Sequence, residues 1–219
     1  MEHVEDLLQT VEYFGFLPFF RCGIPGFSVE DMTPPELWFT EQDGPWEWKG
    51  PAAASGRCMY GKLFHGCAGF VSTAWLPDFC NWRRDGYDFE SFYEDGKASR
   101  NDRELIDTLA HGPMLSKELK RACGYRKDGK KGFDTAVTRL QMQTFLCISD
   151  FEYARDRNGR EYGWGIARYA LPESLFGEDL INAADSRTPE ASLERMHAQL
   201  VSRLPDADPG ALMKLLARK

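Results

Sequence analysis

The chain has 219 residues, 42% of them hydrophobic and 28% charged, a balance that suits one large or two small globular domains and excludes wholesale disorder. No apolar run is long enough to span a membrane. The acidic, amphipathic stretch Met1–Phe14 reads as neither a signal nor a transit peptide, so a cytoplasmic protein is expected.

In chain order, Val4, Leu7, Leu8, Val11 and Phe14 stand at helical spacing and predict a helix over 3–14. Pro18 interrupts the apolar run Phe16–Phe20. Thr33-Pro34-Pro35-Glu36 resembles a helix start. Residues 46–54, 57–64 and 67–71 read as three short strands of a small antiparallel meander, with Ser55-Gly56 and His65-Gly66 as turns. Residues 72–84 read as a helix with Pro77 in its first turn. Trp75, Phe79 and Trp82 would share its buried face. A small polar stretch, 94–99, marks a domain boundary.

Asn101-Asp102-Arg103-Glu104 resembles a capping box for the next helix, which Gly112-Pro113 stops. Ser116 would cap a short helix, 117–123. After a basic loop, 125–132, a third helix runs over 133–143, with Phe133, Val137, Leu140 and Thr144 inward. Residues 145–153 and 161–171 read as paired strands with Asn158-Gly159 at the turn. Three helices followed by a hairpin is the order of a winged helix-turn-helix. A tail helix over 189–204 and a last short one follow. The expected class is therefore α+β: a mixed domain with the meander (1–95), a winged helix-turn-helix (101–172) and a helical tail (173–219).

The formal net charge of −7 speaks against a nucleic-acid partner, but its distribution does not. Residues 1–100 hold 8 Lys+Arg against 16 Asp+Glu, residues 101–171 hold 13 against 10, and residues 172–219 hold 6 against 8. Positive charge gathers in the segment read as a winged helix. Lys117, Lys120, Arg121, Arg126, Lys127, Lys130 and Lys131 form its main group, and Arg155, Arg157 and Arg160 flank the wing tip. Cations in this arrangement suit duplex phosphates, whose counterions they release; a solvated lysine-rich face is the other reading. On the third helix Asp134, Thr135, Thr138, Arg139, Gln141 and Met142 are expected to face outward. Arg139 and Gln141 could read base edges, while Asp134 would repel phosphate, so sequence specificity should be weak.

A second constellation lies in the acidic half: Trp46, Trp48, Lys62, Arg83 and Asp85. Tryptophans can stack an extruded base and a carboxylate can stabilise an oxocarbenium-like centre. Aromatics at such spacing more often pack a core, with the Arg/Asp pair a structural ion pair. The six cysteines, Cys22, Cys58, Cys67, Cys80, Cys123 and Cys147, contain no CxxC pair and read as reduced. No metal site or cofactor is expected.

Several stretches carry a family resemblance. They are Phe14–Phe20, Phe64–Val71, Ala74–Arg84, the helix-turn-helix, and Tyr162–Pro172. On them the chain resembles the winged-helix DNA glycosylases of the AlkZ/YcaQ superfamily, and more closely a small bacterial group described as AlkZ-related. The resemblance implies winged-helix units that cradle DNA in repair of alkylated or cross-linked bases. It also implies a catalytic Gln-apolar-Gln or Gln-apolar-Asp pair in a stretch after the first helix. Here that stretch is Leu17-Pro18-Phe19-Phe20, with Pro18 and Phe20 where the pair should stand. Gln141-Met142-Gln143 has the right letters in the wrong place, and its glutamines would point about 200° apart on a helix. The chain also looks one winged-helix unit shorter than the full enzymes. The expectation is a protein that binds nucleic acid, as duplex DNA, through its basic segment without the family's catalysis. The alternatives are an active glycosylase or hydrolase with a rebuilt site at Trp46, Trp48, Lys62, Arg83 and Asp85, or a module that docks a protein partner.

Overall fold

A computed structural model describes residues 1–38, 43–126, 128–155, 157–158 and 161–218, with residues 155 and 161–164 described by their backbone alone. Helix α1 (Val4–Phe14) buries Leu7, Leu8 and Val11 on one face. Asp6 caps it, accepting from the backbone N–H groups of Glu2 and His3 at 2.8 and 3.1 Å. Gly15, at φ 88°, turns the chain at once into strand β1 (Phe16–Pro18). A Cβ at this position would lie 2.5 Å from the Trp75 ring, so both the dihedral and the space require glycine.

Helix α2 (Val29–Met32) is a single turn, and only a 3-10 turn, Pro35–Leu37, forms at the expected proline-marked helix start. The larger correction is at 46–54, where the expected strand is helix α3 (Pro45–Ala54). Pro45 occupies the first turn, and the Glu47 carboxylate accepts the Gly44 N–H at 3.1 Å. Trp46-Glu47-Trp48 alternates like a strand for three residues. The burial of Trp48 and Ala52, four apart, is helical.

Strands β2 (Cys58–Phe64) and β3 (Cys67–Ser72) form a hairpin that turns at His65-Gly66. Helix α4 (Leu76–Arg84) holds Pro77 in its first turn and ends at Asp85 in the left-handed region. Its Phe79 is fully buried against Phe16 and Phe64, a burial that stabilises by roughly 1.5–3 kcal/mol. Helix α5 (Phe89–Glu94) follows, with Phe89 and Phe92 each 5.2 Å from the Phe145 ring. Helix α6 (Arg100–Leu109) starts earlier than Asn101 because Ser99 and Asp102 form the box. The Asp102 carboxylate accepts the Ser99 N–H at 2.8 Å, and the Ser99 hydroxyl oxygen accepts the Asp102 N–H at 3.2 Å.

Strand β4 (Met114–Leu115) leads directly into helix α7 (Ser116–Ala122). Helix α8 (Phe133–Met142) and strands β5 (Cys147–Arg155) and β6 (Glu161–Ala170) complete the three helices and hairpin. The chain ends in α9 (Pro172–Phe176), α10 (Glu178–Ile181), α11 (Pro189–Arg203) and α12 (Pro209–Leu216).

The class is α+β, built on a six-stranded antiparallel sheet in the order β1-β3-β2-β5-β6-β4. The β2–β3 hairpin and the β5–β6 hairpin share this sheet because Tyr60 of β2 pairs with Ile148 of β5. Beyond that pair, Gln141 of α8 completes the edge. Its Oε1 accepts the Lys62 N–H at 2.9 Å, and its Nε2 donates to the Val137 carbonyl at 3.0 Å. Gln141, expected to face outward, is instead fully buried, because its side chain turns in against β2 to accept the Lys62 N–H. The tail docks on α4. Ser192 Oγ and Arg187 Nη1 both donate to buried Asp78 at 2.9 Å, and Asn81 Nδ2 donates to Ser192 Oγ at 2.9 Å.

Candidate functional site

The basic loop between α7 and α8 is held at its base rather than hanging free. Tyr125 is buried and stacks edge-on against Phe133, 5.3 Å between centroids. Tyr125 and Lys130 form a parallel bridge, and the Lys130 N–H donates to the Gly124 carbonyl at 3.1 Å. Gly129 permits this pinch, since a Cβ there would lie 2.6 Å from the Gly124 carbonyl oxygen. Gly132, at φ 81°, then turns the chain into α8.

This scaffold gathers Lys120, Arg126, Lys130 and Lys131 around a concavity of about 320 Å³ at the N-terminal end of α8, with Asp134 and Thr135 on its far wall. Lys130 is ion-paired with Glu104. Lys131 Nζ donates to the Arg126 carbonyl at 3.5 Å, and Lys120 Nζ lies 5.8 Å from the Phe133 ring. The helix macrodipole adds positive potential at the same end. Lys117 points elsewhere, toward the sheet, where Glu152 holds it at 3.5 Å and also holds Arg168 at 3.4 Å. Arg121 and Arg157 are exposed. Arg155 is described by its backbone only. Lys127, Arg160 and Gly159 of the expected wing tip lie outside the described residues.

A second concavity, about 620 Å³, continues along α8 and shares Asp134 and Thr135 with the first. Thr138, Arg139, Met142 and Gln143 form its helical wall, and Arg218 of the C-terminal segment stands on it as well. Arg139 is not a free side chain: its Nη2 meets Asp102 Oδ1 at 2.5 Å, and Asp102 is 2% exposed. The pair fixes the guanidinium on the α8 surface. Lys62 Nζ donates to Thr138 Oγ1 at 3.3 Å, which sets Lys62 at the edge of the same groove. Gln143 reaches the groove while Gln141 is buried toward β2, so the two do not converge on one point.

The residues of the acidic-half constellation fall in three places. Trp48 is 1% exposed in the core of α3. Trp46 packs among Phe19, Phe20 and Trp38, at 5.7–5.8 Å between centroids. Its neighbour Lys49 lies over both Trp46 and Phe151, at 4.7 and 4.8 Å, and burial pushes its ammonium below the usual lysine value. Lys62 belongs to the α8 groove. Arg83 and Asp85 sit at the end of α4, where Asp85 pairs with Arg218 at 2.6 Å and Lys97 at 3.7 Å. The Leu17–Phe20 stretch offers no side chain that holds a water: Leu17 and Phe19 are buried in the core, and Pro18 pairs with Gly69 of β3.

Two partners of the groove were invisible to sequence reasoning. Arg218 joins α8 only through the docking of the tail, and the role of Gln141 depends on Lys62, 79 residues away. Among comparisons with known proteins, a family model described as AlkZ related matches residues 1–217, nearly the whole chain. No curated protein and no solved structure matches it.

Proposed function

Because the chain belongs to the AlkZ-related family, we propose that it is a relative of DNA glycosylases that binds duplex nucleic acid through a winged helix-turn-helix over 101–172. In this reading α6, α7 and α8 are the three helices and β5–β6 is the wing. The observation that carries it is the convergence of Lys120, Arg126, Lys130 and Lys131 at the head of α8 on a concavity continuous with the groove along that helix. Lys120, Arg126 and Lys131, beside Lys130 in its pair with Glu104, give this concavity the positive charge that duplex phosphates seek. Arg157 beyond β5 and exposed Arg121 extend the contact. A cytoplasmic setting accords with this partner.

Base reading is weak in this arrangement. Gln141 is spent on Lys62, Arg139 is tied to Asp102, and Asp134 faces the phosphates. Catalysis of the family's kind has no carrier at Pro18 and Phe20. The exposed large apolar side chains among the described residues, Tyr13, Phe20 and Met213, lie off α8.

The test is duplex binding across a salt series. The expected plot of log K against log salt falls steeply, with a slope near −0.9 for each phosphate contacted. In Lys120→Glu/Lys131→Glu the slope flattens by about two contacts. Absence of duplex binding at low salt would overturn the reading.

A further inference from the structure

Arg139 stands on the outer face of α8 with Thr135 and Met142, four residues before it and three after. Its guanidinium is anchored from one side only. Nη2 donates to Asp102 Oδ1 at 2.5 Å, and among the described residues no other group takes Nη1 or Nε. Asp102 is fixed in turn. It is buried, and its Oδ2 accepts the Ser99 N–H at 2.8 Å and the Ser99 hydroxyl at 2.7 Å. The guanidinium fork is therefore held in place with open donors, and little rotamer entropy is left to lose on binding.

The groove differs in charge from the concavity at the head of the helix. At the head, Lys120, Arg126, Lys130 and Lys131 stand against Asp134 and the Glu104 partner of Lys130. Along the groove each arginine has a carboxylate: Arg139 has Asp102, and Arg218 has Asp85 at 2.6 Å. Lys62 at the edge offsets Asp134 at the end, and Thr135, Thr138, Met142 and Gln143 are neutral. A balanced surface has little pull on a phosphate, whose binding is driven by net positive charge. It suits a neutral partner with paired acceptors, and a fixed guanidinium is the side chain that matches such a pair. Arg139 lies six residues beyond Phe133, about 9 Å along the helix. That is close to the roughly 8.5 Å depth of a duplex major groove. A phosphate held at the head of α8 thus leaves Arg139 within reach of the base edges.

We propose that Arg139, buttressed by Asp102, reads the O6 and N7 acceptors of one guanine in the major groove. The weak base reading of α8 then resides in this one side chain. The inference rests on the duplex binding proposed above. Asp102 acts through Arg139 as a positioning residue, while it also closes the capping box of α6. Arg139→Lys keeps a cation beside Asp102 but loses the two parallel donors.

The test measures binding of the full chain to two short duplexes of one sequence across a salt series. One duplex carries 7-deazaguanine in place of every guanine, so it lacks the N7 acceptor and keeps every phosphate. Wild type binds the natural duplex about tenfold more tightly, with the same salt slope for both. In Arg139→Lys this ratio falls to near one while the slope is unchanged. Arg139→Gln/Asp102→Asn, which removes both members of the pair, gives the same result should Arg139→Lys distort the groove. Lys120→Glu/Lys131→Glu does the reverse: the slope flattens and the ratio stays. Equal binding of the two duplexes by wild type, or a full ratio in both Arg139 variants, overturns the guanine contact. A slope shallower by about one contact in Arg139→Gln/Asp102→Asn makes Arg139 a phosphate ligand and overturns it as well. No binding of either duplex at low salt overturns the duplex reading itself, whereas binding without the ratio overturns this inference alone.

Discussion

Lys49 shows how a single buried charge sets a pH dependence. Its ammonium is held between Trp46 and Phe151, and burial lowers its affinity for the proton. The unfolded chain keeps that proton up to about pH 10.4. Between the lowered folded value and that point the unfolded state binds more protons, so stability rises with pH. Urea unfolding at pH 7 and pH 10 should show wild type gaining on Lys49→Met; a constant difference between the two would contradict this. The cysteines give a second reading at the same scale. Burial pushes the Cys58 thiol up to about 12 and raises those of Cys80 and Cys147, while Cys67 is exposed. Iodoacetamide at pH 8 should modify Cys67 in the folded chain and leave the other three untouched until denaturant is added. Mass mapping of early modification on Cys58 or Cys147 would argue against their burial.

Helix α8 separates what the sequence reveals from what it hides. Its inward face was legible because Phe133, Val137 and Leu140 repeat at helical spacing, and each is buried. Its partner across the sheet was not, because a polar side chain such as Gln141 is placed by a hydrogen bond to a distant strand rather than by hydrophobicity. Replacing Gln141 with Leu leaves the Lys62 N–H without an acceptor, a cost of about 1–3 kcal/mol. Denaturant unfolding should show the midpoint falling with an unchanged m-value; an unaltered midpoint would mean the bond contributes nothing. Helix α3 failed to show itself for a different reason. Three alternating residues mimic a strand, and the proline and glutamate that start the helix signal only its first turn.

Across the whole molecule, the acidic half and the basic segment share one sheet through Tyr60 and Ile148. Local periodicity predicts the hairpins but carries no information on such a long-range pairing. The charge split was legible in the sequence, since it is a matter of counting. Its concentration into a concavity was not, because the loop's fold depends on Tyr125, Gly129 and Gly132 together. The docking of the tail had no sequence signal, and it is the docking that brings Arg218 to the groove along α8. The most direct measurement of the central claim is an amide chemical-shift titration of the isotope-labelled chain with a short DNA duplex at low salt. Shifts are expected over Lys120, Arg126–Thr135 and Arg139, fading as salt is added, with α1 and α3 unmoved. Shifts confined to α1, α3 or β1, or none at saturating duplex, would contradict it.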